Sequence, residues 1–178
     1  MSVVRPVAEV RQSQRVARQG RRFDASAADG GGIDVRELRE EEIPRVDAVL
    51  PLHRLDSAQT YLVAWDGNEP VGHAHVAWRG TKLGVPEIQD VYVLPEHRRR
   101  GVASALNAAV ERLAAERGHD RISLSYGIDN LAARRLYARL GYEDAGISPH
   151  RMQETITIRG EPVEIDDTLI YLVKQLSA

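Results

Sequence analysis

The sequence predicts an α/β fold of the layered α+β kind, and three observations predict it. Three apolar runs follow one another between residues 61 and 94 with only glycine-bearing turns between them, which reads as an antiparallel meander. A strand, a turn, a helix and a second strand then run from 87 to 126, which implies parallel pairing through a right-handed crossover. A second helix and further strands come after. This mixed order argues for helices layered on a mixed sheet rather than for a doubly wound nucleotide domain.

Each element has a local cause. Residues 33–38 alternate apolar and polar, as a half-buried strand does. Residues 40–50 carry Ile43, Val46, Val49 and Leu50 at helical spacing, with glutamates in the first turn where the helix dipole favours them, and Pro51 stops this helix. Residues 61–65 and 71–78 read as strands joined by a hairpin turn, Asp66-Gly-Asn-Glu-Pro70. Residues 79–85 form a second turn, and 87–94 the next strand. A helix over 101–117 puts Val102, Leu106, Val110 and Leu113 on one face, and Gly118 suits its left-handed C-terminal cap. Residues 121–126 form a short strand. Asn130 caps a helix over 131–140, which Gly141 ends, and Tyr142 opens another strand. Residues 155–158 and 163–165 flank Arg159-Gly-Glu-Pro162 as a hairpin, and 168–176 is a final apolar strand.

The chain has 178 residues, 43% of them apolar, enough for one domain with a core plus extensions. With a single Phe, that core is mostly Leu, Val, Ile and Ala. The net charge of −2 gives no reason to expect nucleic acid as a partner. The lack of cysteine excludes disulfides, thiolate zinc sites and a Cys nucleophile, and fits a reducing cytoplasm. No apolar run approaches the ~20 residues of a membrane-spanning helix. Residues 1–32 are rich in arginine, poor in large apolar residues and end in Asp29-Gly-Gly-Gly32, so a flexible basic tail is expected there. Residues 33–178 make the folded domain, with a hairpin insert near 147–167.

The stretch from 91 to 104 carries the chemistry. An apolar run ends at Pro95, a basic turn follows at Arg98, Arg99, Arg100 and Gly101, and a helix starts at once. That order leaves unpaired N–H groups at a helix N-terminus beside three arginines, which suits a phosphate or diphosphate. Gly101 lets such a group approach the backbone, because a Cβ there would obstruct it. Amides from Arg99 through Val102 and Ala103 to Ser104 can each donate a hydrogen bond, and no Mg²⁺ is needed. Neither an ATPase phosphate loop nor a dinucleotide fingerprint occurs. His73 and His75 share one strand face, but no third ligand is evident, so no metal is expected.

Three features fall in one order: the strand ending at Leu94-Pro95; Arg98-x-x-Gly101-x-Ala103 opening a helix; and Asn130, with Tyr137 seven residues on and Gly141-Tyr142 beyond. In this the chain resembles the GNAT superfamily of N-acetyltransferases over residues 33–146, with 168–176 belonging too. The resemblance implies a central mixed, mostly antiparallel sheet with helices on both faces. It implies an enzyme that moves an acetyl group from acetyl-CoA, as cosubstrate, to a primary amine of a small molecule or a protein. By the same resemblance the diphosphate lies on residues 98–104, Asn130 belongs to the cofactor site, and the pantetheine arm pairs with Val91, Tyr92 and Val93 by strand addition in a wedge between two splayed strands. Tyr137 matches the general acid that protonates the departing sulfur. The spacing of Ala133, Leu136, Tyr137 and Leu140 turns it towards the sheet.

The base is less legible. Many relatives carry Glu at the position of Gln89, and an amide cannot take the proton usefully. Asp90 is the first choice, with Glu87, His73 or His75 as alternatives, directly or through water. Glu154, Glu161, Glu164, Asp166 and Asp167 make an acidic rim that would attract a polycationic amine, and the same hairpin could equally serve a homodimer. A reading from another class is a non-catalytic acyl-CoA-binding regulatory module, which keeps residues 98–104 but uses no acid or base.

Overall fold

A computed structural model describes residues 22–24, 32–52, 55, 60–158 and 160–177. The described strands form one nine-stranded sheet in the order β1-β2-β3-β4-β5-β6-β9-β7, with β8 also paired to β9. The strands are β1 (Arg22–Asp24), β2 (Ile33–Glu37), β3 (Thr60–Asp66), β4 (Glu69–Ala77), β5 (Glu87–Val93), β6 (Arg121–Gly127), β7 (Glu143–Asp144), β8 (His150–Ile158) and β9 (Glu161–Gln175). The helices are α1 (Ile43–Asp47), α2 (Val102–Glu116) and α3 (Leu131–Arg139). All pairings are antiparallel except β5 with β6, the pair that α2 joins as a crossover.

The sheet separates two apolar clusters, so helices lie on both faces as expected. On one face, Val102, Leu106, Val110 and Leu113 of α2 pack against Leu62, Ala64, Ala74, Ile88, Ile122 and Leu124. On the other, Val46 of α1 and Leu50 pack against Tyr61, Val63 and Trp65. Each such Leu or Val removed from water stabilises the fold by about 1.5–3 kcal/mol. Gly72 on β4 sets how closely α2 can sit. A Cβ there would lie 2.8 Å from Tyr92 O and 3.1 Å from Val102 Cγ1, so any larger residue would lift the start of α2 off the sheet.

Four elements differ from the sequence reading. The helix expected over 40–50 is a single 3-10 turn, Glu40–Glu42, followed by the five residues of α1. Pro44 is well placed only in a first turn, because it has no N–H to donate further along. The hairpin and the last strand, read as separate, are continuous: β9 runs fifteen residues from Glu161. Asp166 and Asp167 suggested a break, but their charges are satisfied inside the ladder. Asp166 takes Arg151 Nε at 2.9 Å and Nη2 at 2.7 Å, and Asp167 Oδ1 takes the Thr168 N–H at 2.7 Å. The strand expected at Tyr142 is only the two residues of β7. Within the expected tail, Arg22–Asp24 pairs with β2; the rest of 1–31 lies outside the described residues.

Candidate active site

The chemistry gathers where β5 and β6 part. Parallel pairing holds only at Glu87↔Ser123 and Ile88↔Leu124, and beyond it the two strands separate into a cleft. On the other edge of β5 the register with β4 slips: His75 pairs with Gln89 but His73 pairs with Tyr92. Two residues, Asp90 and Val91, therefore oppose Ala74. Asp90 takes a left-handed backbone, φ 51°. This is a β-bulge, which bends the strand and re-aims its side chains.

The basic turn follows β5 directly. Pro95–His97 forms a 3-10 turn, and two left-handed residues, Arg99 at φ 61° and Gly101 at φ 80°, lead into α2. No side chain caps that helix, and the N–H of Ala105 reaches the carbonyl of Gly101. The amides from Gly101 to Ser104 thus come before any intrahelical acceptor and can serve an anion. A Cβ built on Gly101 meets no heavy atom within 4 Å, so the space beside it is open. The three arginines are not equivalent. Arg98 Nε donates to Val93 O at 3.0 Å, and Arg100 donates to His97 Nδ1 at 2.8 Å and to Asp66 Oδ2 at 3.4 Å. Arg99 makes no such bond among the described residues.

On β5 the side chains of the predicted residues are taken up by packing. Val91 and Val93 pack on the α2 side, and Tyr92 stacks on His73 with ring centroids 5.9 Å apart. Across the cleft, Asn130 Oδ1 accepts the Ala133 N–H at 3.0 Å, so its oxygen caps α3 and its Nδ2 is the part that can reach a ligand. Tyr137 is 7% exposed and lies against Tyr126 and Tyr142, with centroids 6.5 and 5.8 Å away. Burial pushes its phenol above the usual tyrosine range, so it stays protonated. Tyr142 donates to Glu111 Oε1 at 3.0 Å, whereas the Tyr137 hydroxyl has no hydrogen-bond partner among the described residues.

The base candidates cluster on the α1 side. Asp90 Oδ2 lies 3.9 Å from Nδ1 of the fully buried His75. Glu87 is 5% exposed and accepts Gln89 Nε2 at 2.9 Å. Tyr171 of β9 stands nearby, its phenol raised by burial and by the Glu87 charge. His73 Nε2 lies 3.0 Å from Pro51 O. Among the described residues no group of three or more His, Asp or Glu could hold a metal.

The model of the acetyltransferase (GNAT) family matches residues 32–142, from β2 to just past α3. The chain belongs to the GNAT acetyltransferase family. That family is one of acyltransferase enzymes. A mycothiol acetyltransferase of Clavibacter sepedonicus is 37% identical over 86 residues, 48% of this chain and 28% of that protein. An uncharacterized N-acetyltransferase of Bacillus subtilis is 29% identical over 64% of this chain and 79% of its own length. The chain thus spans little more than a quarter of the first of these relatives. Among solved structures, the IAA acetyltransferase from Bacillus cereus superposes with a TM-score of 0.59 at 18% identity, covering 81% of this chain and 99% of that one. The yncA putative acetyltransferase of Salmonella typhimurium, solved with its cofactor acetyl-CoA, has a TM-score of 0.50 at 22% identity over 67% and 65% of the two chains.

The donor that the GNAT family implies suits this cleft. A run of bare amides meets open space at Gly101, and the β6 edge of β5 is unpaired past Ile88, where an extended amide-bearing arm would need it. What sequence reading did not place is the position of the bulge, at Asp90 and Val91 opposite Ala74. Its one signal was Asp90, because Asp is several-fold enriched among non-glycine residues with positive φ.

Proposed function

We propose that this chain transfers an acetyl group from acetyl-CoA to a primary amine of a small molecule or a protein. The observation that carries the reading is the pairing of a bare helix N-terminus on the β5 side of the cleft with an uncommitted, protonated phenol, Tyr137, on the β6 side. Acetyl-CoA, when bound, supplies an activated acyl carbon and a sulfur leaving group. The amides of residues 101–104, with Arg99, hold its diphosphate, and the backbone at Val91 offers strand pairing to its arm. The cleft orients the amine nitrogen at the acyl carbon, which turns a bimolecular encounter into an oriented one. Asp90 accepts a proton from that nitrogen, and Tyr137 gives its proton to the sulfur. An N–H and a C–S bond break, an N–C and an S–H bond form, and solvent returns the proton to Tyr137 as Asp90 releases its own.

The acceptor side is bounded by Tyr92, Gln89 and Tyr171. The acidic hairpin is a weaker lure for a polycation than its composition suggests, because Asp166 is occupied by Arg151 and Gln153 and Asp167 by the backbone. No helix among the described residues is long and apolar enough to cross a membrane; the cytoplasm is the proposed compartment. The test is thiol release from acetyl-CoA with a panel holding an aminoglycoside, a polyamine and a lysine peptide. Release with an amine, and not without one, supports the reading. Tight CoA binding with no release for any amine overturns it in favour of a non-catalytic acyl-CoA-binding module.

A further inference from the structure

One polar oxygen in the cleft has no use in the reaction above. Gln89 is the first β5 residue past the last β5–β6 pair, so it stands at the apex where the strands diverge. Its Nε2 donates to Glu87 Oε1 at 2.9 Å, and Glu87 is buried. An ionised carboxylate only accepts, so this bond decides which way round the amide stands: nitrogen towards Glu87, oxygen away. That oxygen, Gln89 Oε1, is buried without a hydrogen-bond partner. Folded proteins seldom leave a buried acceptor unmet, because its desolvation goes uncompensated. Gln89 as a whole is only half-buried.

The bulge places a second acceptor beside it. Successive residues of a regular strand point to opposite faces. Here His75 is the register partner of Gln89, and its ring is also 3.9 Å from Asp90. Gln89 and Asp90 therefore both address the His75 side of the sheet. A neutral primary amine has two N–H bonds and one lone pair. Two adjacent acceptors engage both N–H bonds and leave the lone pair for the acyl carbon.

We propose that Gln89 is an acceptor-binding residue: Glu87 fixes its amide so that Oε1 takes one N–H of the incoming amine while Asp90 takes the other. This rests on the acetyl-transfer reading. Glu87 is then a positioning residue that acts through Gln89. The arrangement selects for a primary nitrogen, since an N-methyl amine has one N–H and leaves one acceptor unmet.

The experiment compares wild type with Gln89→Met, using acetyl-CoA, the best primary amine of the panel and its N-methyl counterpart, with CoA binding measured by calorimetry. In wild type, kcat/KM should favour the primary amine by about tenfold or more, the worth of one well-placed hydrogen bond in a desolvated site. In Gln89→Met that preference should fall to about twofold or less, mainly through the amine KM, with the dissociation constant of CoA unchanged. The double variant Glu87→Met/Gln89→Met removes donor and acceptor together, leaves no orphaned carboxylate, and decides the matter if the single variant does not fold. Retained turnover with an unchanged preference overturns the role of Gln89 alone. Absence of turnover with every amine in wild type, with CoA still bound, overturns the acetyl-transfer reading and this role with it.

Discussion

Replacing Gly101 with alanine separates the fold's need for this residue from the ligand's. The backbone there is left-handed, φ 80°, and an L-residue in that region costs about 1–2 kcal/mol. No clash adds to this, because nothing lies within 4 Å of the new Cβ. For a chain of this length each kcal/mol lowers Tm by about 2–4 °C, so Gly101→Ala should melt about 2–8 °C below wild type. That strain is present with and without CoA, so it cancels from the dissociation constant. Any weakening of CoA binding must come from the methyl group standing where the diphosphate would lie. Loss of one charge-assisted hydrogen bond from the amide cradle is worth about 1.5–3 kcal/mol, so CoA should bind about 10- to 100-fold more weakly. Calorimetric titration with CoA reads the second effect, and thermal melting without ligand reads the first. A Tm that falls as expected while CoA affinity stays within about twofold would refute the cradle, because the strain would then be the whole effect.

Further outcomes follow from the same geometry. Tyr137→Phe removes a hydroxyl with no hydrogen-bond partner among the described residues, so turnover should fall at least about tenfold while Tm changes by about 2 °C or less; unchanged turnover removes the acid assignment. Asp90→Asn keeps a residue type that tolerates φ 51°, so the bulge should survive while kcat/KM drops and loses its acidic limb; an intact limb assigns the base elsewhere. Burial holds Tyr137 and Tyr142 neutral in the folded chain, and for Tyr142 the Glu111 charge adds to it. Both phenols are raised, so their contribution is intact below about pH 10, where unfolded tyrosine begins to ionise, and is lost as pH climbs towards their folded values. Urea midpoints should therefore hold up to about pH 10 and fall as pH rises above it, and Tyr142→Phe should flatten that fall; a midpoint insensitive to alkali contradicts the burial argument.

Much of the fold was legible because its causes are local. The Asn130 cap, the left-handed Gly118 and Gly141, and the apolar face of α2 are short-range signals, and each lies where its residue type requires. The left-handed Gly101 at the start of α2 was legible for the same reason, as a glycine and a helix start adjoin in sequence. The rest depended on distant partners. Nothing local says that Asp166 is compensated across the ladder by Arg151 and Gln153, so β9 was read as two strands there. Nothing local says that Arg98 and Arg100 are drawn back onto Val93 and Asp66, so three arginines looked equally available. The bulge at Asp90 is a mismatch of register between two strands. It is a property of β4 and β5 together, and its one trace within a single segment is Asp90, a residue type that tolerates positive φ.

The long β9 bears on how the protein is made. β6, one wall of the cleft, has only two residue pairs with β5 but seven with β9, from Arg121↔Gln175 to Gly127↔Leu169. β9 leaves the ribosome after α3, β7 and β8. Until then β6 is held only by two strand pairs with β5 and by the packing of α2 on Ile122 and Leu124, and its other edge, beside Tyr126, is unpaired. The meander and α2 can assemble early from near-neighbour pairings, whereas the β6 side closes only through this late, long-range ladder. A nascent chain halted before β9 should therefore hold the start of α2 in place while the β6 edge beside Tyr126 stays unpaired.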